Sequence, residues 1–257
     1  MNTPIGLFDS GVGGTSIWKQ IHHLLPNEDF IYLADSKNAP YGQKTKDEII
    51  ELSFKNTEFL LNRNAKLIVV ACNTATTNAI NELRQKYDVP FIGIEPAIKP
   101  AAIQSKVHRV GVLATERTIN SELFAKTRAN FPEITFVEQI GFGLVQLIED
   151  GKMESAQMSE LLNQYLKPMI QAQIDCLVLG CTHYPYLKPQ IEKILPPTIQ
   201  IIDSGKAVAQ QTQKILEQNN LLNLSDKKGK SVFYTNSDKT VLQNLVGKEF
   251  EVECIDF

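Results

Sequence analysis

Short apolar runs, each closed by a cluster of small and polar residues, alternate along the chain with segments whose apolar positions recur every three or four residues. Ile5–Phe8 is followed by Asp9-Ser10-Gly11-Val12-Gly13-Gly14, and Phe30–Ala34 by the loop Asp35 to Gly42. Leu67–Ala71 stops at Cys72-Asn73-Thr74, and Cys176–Gly180 at Cys181-Thr182-His183. Such runs, with Phe91–Ile94, Arg109–Ala114, Ile134–Val137 and Ile199–Ile202, read as strands buried on both faces. The intervening spacing predicts helices. One runs from the first glycines to about Leu25. A second is opened by a capping box at Thr45 and Glu48 and carries Ile50, Phe54, Thr57 and Leu61 on its apolar face. Others cover Thr118–Asn130, the Leu144-Leu147-Ile148 face ending near Gly151, and a stripe of Met158, Leu161, Leu162, Tyr165 and Met169 with a kink at Pro168. A polar linker, about 218–230, precedes a last strand-helix-strand unit.

This alternation predicts an α/β fold of mostly parallel sheets flanked by helices, with ligands at the carboxyl ends of the strands. Two stretches echo each other. Leu67 to Thr74 and Cys176 to His183 are both a strand, a small residue, a cysteine and two polar residues, and Asp9-Ser10-Gly11 is echoed by Asp203-Ser204-Gly205. The echo predicts two similar lobes with the active site in the cleft between them. The first lobe would be 1–97 plus 207–257, carrying Asp9 and Cys72. The second would be 98–206, carrying Glu149, Cys181 and His183.

Composition narrows the function. The chain has 257 residues, enough for one or two domains. Hydrophobic residues at 43% and charged residues at 21% exclude a disordered chain. With 26 Lys+Arg against 29 Asp+Glu, the net charge of −3 gives no basic field, so nucleic acid is not an expected partner. No apolar run approaches the ~18 residues of a membrane helix. Met1-Asn2-Thr3-Pro4 does not open a leader peptide, so a cytoplasmic protein away from membranes is expected. Four cysteines spread over such a chain are not a disulfide framework.

Cys72 and Cys181 stand at strand ends, where the backbone N–H groups of a following turn or helix favour thiolate. Cys176 and Cys254, inside or beside apolar strands, read as packed core residues. No short paired Cys/His spacing is present, so no metal is expected. A cysteine hydrolase would need a histidine placed elsewhere in the fold, and none stands out. Gly11-Val12-Gly13 with Asp35 as a ribose acid is a partial dinucleotide fingerprint, with Ser16 at the third small position. Asp9 is a carboxylate neighbour for Cys72 or a local turn and cap residue. Ser10 and the glycines offer N–H groups to an anion. Tyr41, Asn73, Thr74 and Thr182 either bind a ligand or cap locally, and nothing local marks Glu149. Two readings stand on the residues alone: thiol-based acid–base catalysis, and a two-lobed binding protein for an acidic small molecule.

The order Asp9 to Gly14, Ala34-Asp35 to Pro40-Tyr41-Gly42, Ala71-Cys72-Asn73-Thr74-Ala75 and Gly180-Cys181-Thr182-His183-Tyr184-Pro185 resembles the glutamate racemases, within the aspartate/glutamate racemase group that shares the two cysteines. The resemblance runs from residue 5 to about 210, and the ordered set of motifs is specific where each alone is not. It implies a cofactor-independent, two-base racemisation that supplies D-glutamate for peptidoglycan. Cys72 would take the proton from D-glutamate and Cys181 from L-glutamate, the two thiols always being in opposite protonation states. Asp9 would assist Cys72, and Glu149 and His183 would assist Cys181. Ser10, Pro40, Tyr41, Gly42, Asn73, Thr74, Thr182, Thr115 and Thr118 would bind substrate, in a homodimer. Upstream of Glu149 many members carry a Cys-Pro pair where this chain has Gly141-Phe142, so Glu149 rests on the alignment through Leu147 to Gly151. The short start lacks the extension that in some members helps bind a cell-wall precursor activator, and that regulation is not expected.

Overall fold

The structure, a computed structural model, describes residues 3–257; Met1 and Asn2, part of the start read for a leader, lie outside them. In chain order the strands are Ile5–Asp9 (β1), Phe30–Ala34 (β2), Leu67–Val70 (β3), Phe91–Gly93 (β4), Arg109–Ala114 (β5), Thr135–Ile140 (β6), Cys176–Gly180 (β7), Gln200–Ile202 (β8), Ser231–Thr235 (β9) and Glu251–Cys254 (β10). All pair in parallel, which fits the continuous apolar runs of the central strands; β6, expected as a strand buried on both faces, is an edge strand with no fully buried residue. They form a six-stranded sheet, ordered β10-β9-β2-β1-β3-β4, and a four-stranded sheet, ordered β6-β5-β7-β8. The first sheet thus takes strands from both ends of the chain and the second from its middle.

Helices cover these sheets: Thr15–Leu24 (α1), Lys46–Leu61 (α2), Asn73–Lys86 (α3), Ile98–Gln104 (α4), Glu116–Ile119 (α5), Glu122–Ala129 (α6), Leu144–Glu149 (α7), Ala156–Gln171 (α8), Lys188–Ile194 (α9), Gly205–Gln218 (α10) and Thr240–Val246 (α11). Among the described residues no helix is long and apolar enough to cross a membrane. Side chains alternate across each strand. In β3 and the residues after it, Leu67, Val69 and Ala71 face one apolar cluster, whereas Ile68, Val70 and Cys72 face another. The first cluster continues through Leu144, Ile148, Leu177 and Leu179, so one core joins the inner faces of both sheets.

Three further expectations are corrected. The Thr45/Glu48 capping box is present, but α2 buries Ile49, Ser53, Asn56, Thr57 and Leu60, leaving Ile50, Phe54 and Leu61 half-buried. Of the polar residues on that face Asn56 serves the site by donating to Tyr41 Oη, and a purely apolar stripe misplaces the buried face by one position. The single helix over 118–130 is two, because the Ser121 side chain accepts from Phe124 N and starts α6 afresh. Cys254 is exposed, its thiol donating to Ser237 O at 3.2 Å, because β10 is an edge strand. The polar linker is also tied down: Lys66 Nζ, buried with Glu28, meets its carboxylate at 2.6 Å and Leu221 O at 2.7 Å. Helix α8 runs on through Pro168 to Gln171.

Candidate active site

Parallel strands direct their carboxyl ends to one edge, and the loops gathered there come from both sheets. At the end of β1, Asp9 turns its carboxylate inward, fully buried, and accepts from Gly14 N at 2.7 Å. After β3, Cys72 caps α3, its sulfur accepting from Ala75 N at 3.4 Å and lying 3.7 Å from Ser10 Oγ. After β7, Cys181 lies 3.7 Å from His183 Nδ1. A pocket of about 240 Å³ holds both thiols, one from each sheet's loops. Cys176, by contrast, packs with Val110 and Val178 on the other face of β7, and burial pushes its thiol up to about 11.

Most of the residues expected to bind substrate line this pocket. Ser10, Asn73, Thr74 and Thr182 do so, as do Pro40, Tyr41 and Gly42 from the loop after β2. Thr115 lines it as well, accepting from Thr118 N as the cap of α5. Thr118 sits behind the wall, fully buried, with its hydroxyl 2.9 Å from Thr115 Oγ1 and 3.4 Å from Thr74 Oγ1. The Thr74–Thr115 contact at 2.9 Å crosses between the two sheets' loops. The Tyr41 hydroxyl is already engaged, donating to Asp35 Oδ2 at 2.5 Å and accepting from Asn56 at 3.1 Å. The Asn73 side-chain oxygen is buried and unpartnered. Among the described residues no Lys or Arg lines the pocket.

Neither Asp9 nor Glu149 lines it; each stands behind a thiol's neighbours. Glu149, at the end of α7, receives Val12 N on Oε1 at 2.7 Å, and the same oxygen lies 2.5 Å from His183 Nε2. Burial opposes a charge on His183, but its hydrogen bonds and charge interactions with Cys181 and Glu149 outweigh it, and its pKa stands well above the ordinary imidazole value. His183 is thus held between the Glu149 carboxylate and the Cys181 sulfur, with the Gly13 N–H also directed at its Nε2 at 3.3 Å. On the opposite side, burial raises the Cys72 thiol well above its usual range, and the Asp9 charge adds to this. Ala75 N and Ser10 counter only in part. In this state Cys72 is a thiol.

Burial also raises Asp9 to about 6, with His183 and the Gly14 N–H acting against the shift. A carboxyl held above its unfolded value binds its proton more tightly when folded. Its contribution to stability is present in full below 3.8 and is lost as pH rises through about 6. Relative to Asp9→Asn, the wild type is expected to lose on the order of 3 kcal/mol across that window. Urea unfolding of both proteins at either end of the window checks this, and parallel curves would remove the buried titration.

The glycines after β1 do not make a nucleotide loop. A Cβ on Gly11 would lie 2.0 Å from Glu149 Oε1, and one on Gly13 would lie 2.2 Å from His183 Nδ1, so both glycines admit the ion pair. Asp35, the acid of the dinucleotide reading, is buried and filled by Tyr41 OH, Asn38 Nδ2 at 2.8 Å and Asn236 Nδ2 at 2.6 Å. Sequence reasoning passed over Ser36, which donates to Glu149 Oε2 at 2.7 Å, and Ser16, which donates to Thr182 O at 2.8 Å. It also passed over the 2.6 Å Thr15–Tyr186 hydroxyl pair. All three join loops of different sheets, and no local pattern marks such a contact.

Fold and site together define a two-lobed α/β enzyme with one thiol from each lobe in a common pocket. Residues 5–212 match the Asp/Glu/Hydantoin racemase family. A glutamate racemase of Herpetosiphon aurantiacus is 44% identical over 236 residues, 91% of this chain and 93% of its own. The crystal structure of glutamate racemase isoform RacE1 from Bacillus anthracis superposes with a TM-score of 0.88 at 31% identity, covering 99% of this chain and 97% of its own. The Francisella tularensis glutamate racemase, solved in complex with D-glutamate, gives 0.86 at 31% identity, with 99% and 98% covered. The chain belongs to the Asp/Glu/Hydantoin racemase family and is an amino-acid racemase, an isomerase.

Proposed function

We propose that this chain racemises glutamate by a cofactor-independent exchange of protons between Cys72 and Cys181. The observation that carries the reading is the shared pocket, with a carboxylate behind one thiol and a histidine–glutamate pair behind the other. The α-proton of an amino acid is weakly acidic, so the carbanion-like state depends on position, desolvation and fixed hydrogen bonds. The α3 N-terminus at Asn73-Thr74 and the hydroxyls of Ser10, Thr74, Thr115 and Thr182 supply neutral donors for carboxylates. The unpartnered Asn73 oxygen supplies an acceptor for the ammonium.

For L-glutamate, Cys181 as thiolate takes the α-proton while His183, backed by Glu149, holds its sulfur. Cys72 as thiol, beside Asp9 and Ser10, gives its proton to the opposite face. Cys181 is left protonated and Cys72 ionised, the state that accepts D-glutamate. The upward shifts of the Cys72 thiol and the His183 imidazole support the L-accepting state as the resting one. A cytoplasmic homodimer supplying D-glutamate for peptidoglycan, built of lobes 1–97 plus 207–257 and 98–206, belongs to the same reading.

Proton NMR of L-glutamate with the purified protein in D₂O, with chelator present and no cofactor added, tests it. Loss of the α-proton signal with appearance of D-glutamate is expected. Exchange in another amino acid but not in glutamate would transfer the mechanism to that substrate. No exchange with folded, reduced protein would leave a binding protein for an acidic small molecule.

A further inference from the structure

Glu149 is held by donors from two loops of the first sheet, and the mechanism above uses neither of them. Its Oε1 is shared by Val12 N and His183 Nε2, whereas Oε2 receives the Ser36 hydroxyl at 2.7 Å. Ser36 begins the short turn Ser36–Asn38, which leads directly into Pro40-Tyr41-Gly42 at the pocket wall. The turn is pinned by Asp35, whose carboxylate receives Tyr41 OH, Asn38 and Asn236, and whose own N–H donates to Asp9 O at 3.1 Å. Ser36 is thus a fixed point of the first lobe reaching a carboxylate of the second. The last torsion of a glutamate side chain is broad. With only Oε1 held, the carboxylate plane can turn and take the His183 ring with it.

We infer that Ser36 is a positioning residue for proton transfer at Cys181, fixing the Glu149 carboxylate so that His183 stays aimed at the sulfur. The inference rests on the racemase reading above. Ser36 also joins the substrate loop to the acid–base apparatus of only one of the two thiols, since Cys72 has Ser10, Ala75 N and Asp9 as its neighbours.

Ser36→Ala is expected to lower kcat/KM about 10-fold, the size of a charge-assisted hydrogen bond. The fall must be equal in both directions, because the two enantiomers have the same free energy. The asymmetry lies in primary isotope effects. With [2-²H]-L-glutamate the substrate deuteron goes to Cys181, and with [2-²H]-D-glutamate it goes to Cys72. Slowing only the Cys181 step makes that step more limiting. The isotope effect on kcat/KM therefore rises for the L substrate and falls for the D substrate relative to wild type. Ser36→Thr, which keeps the hydroxyl, is expected to restore both values. Unchanged activity in Ser36→Ala, or lowered activity with both isotope effects unmoved or moving together, would overturn the role. An inactive wild type measured alongside would instead overturn the racemase reading, and this inference with it.

Discussion

Cys72→Ser and Cys181→Ser are each expected to cut racemisation of glutamate by roughly 10³-fold or more, the upper part of the range for a positioned acid–base group. A serine hydroxyl is far too weak an acid to serve as the base a thiolate provides. At Cys72 the loss has a chemical cause, because that site tolerates serine structurally. Cys72 occupies the cap of α3 with its sulfur accepting from Ala75 N, a position where serine is a preferred residue. The variants should also differ in what they keep. Cys181→Ser retains Cys72 and Asp9, so the α-proton of D-glutamate should still exchange slowly with D₂O without inversion. Cys72→Ser retains Cys181, His183 and Glu149, so residual exchange should shift to L-glutamate. Separate NMR time courses on each enantiomer read this, and full racemisation by either single variant would exclude a two-thiol mechanism.

The central strands were legible because each is an uninterrupted apolar run, the pattern two-sided burial in a parallel sheet leaves, whereas the edge strands β6 and β10 carry Glu138, Gln139, Glu251 and Glu253 and are only partly buried. Arg109–Ala114, Cys176–Gly180 and Phe30–Ala34 begin and end where the hydropathy does. Helix faces were less legible. In α2 the buried side includes Ser53, Asn56 and Thr57, and Asn56 is needed to hold the Tyr41 hydroxyl, so polarity there is not a sign of exposure. Cysteine burial followed strand position only where the strand is central: Cys176 is buried in β7, while Cys254 on the edge strand β10 is exposed. In the pocket, residues directly after a strand could be named because the sheet delivers them to one edge. Glu149 and Ser36 could not be read from their own neighbourhoods, since α7 and the turn after β2 meet only once both sheets are assembled. The glycines at 11 and 13 carried a visible signal with two meanings, and only the Glu149 and His183 side chains filling their missing Cβ positions decide between them.

That filling makes Gly13→Ala the most damaging small substitution expected outside the thiols. The added methyl would lie 2.2 Å from His183 Nδ1 and 2.5 Å from its Cγ, whereas real Cβ contacts stay beyond 3.0 Å. The ring must therefore move by most of an ångström. It is 1% exposed, with Glu149 on one side and Cys181 on the other, so no movement preserves both contacts. A misplacement near 1 Å costs about 10²-fold in rate. Overpacking of this kind costs about 1–3 kcal/mol in stability, which a folded protein of this size tolerates. The expected result is a folded variant with kcat for glutamate lowered about 10²-fold. Its pH–rate profile should also lose the limb due to His183, because the hydrogen bonds that raise that pKa are broken. Gly11→Ala should act alike through Glu149, whose Oε1 would lie 2.0 Å from the new methyl. Circular dichroism and steady-state kinetics on both variants check this. Wild-type kcat in Gly13→Ala would mean that His183 can leave its place without consequence, and the histidine would then have no part in the proton transfer at Cys181.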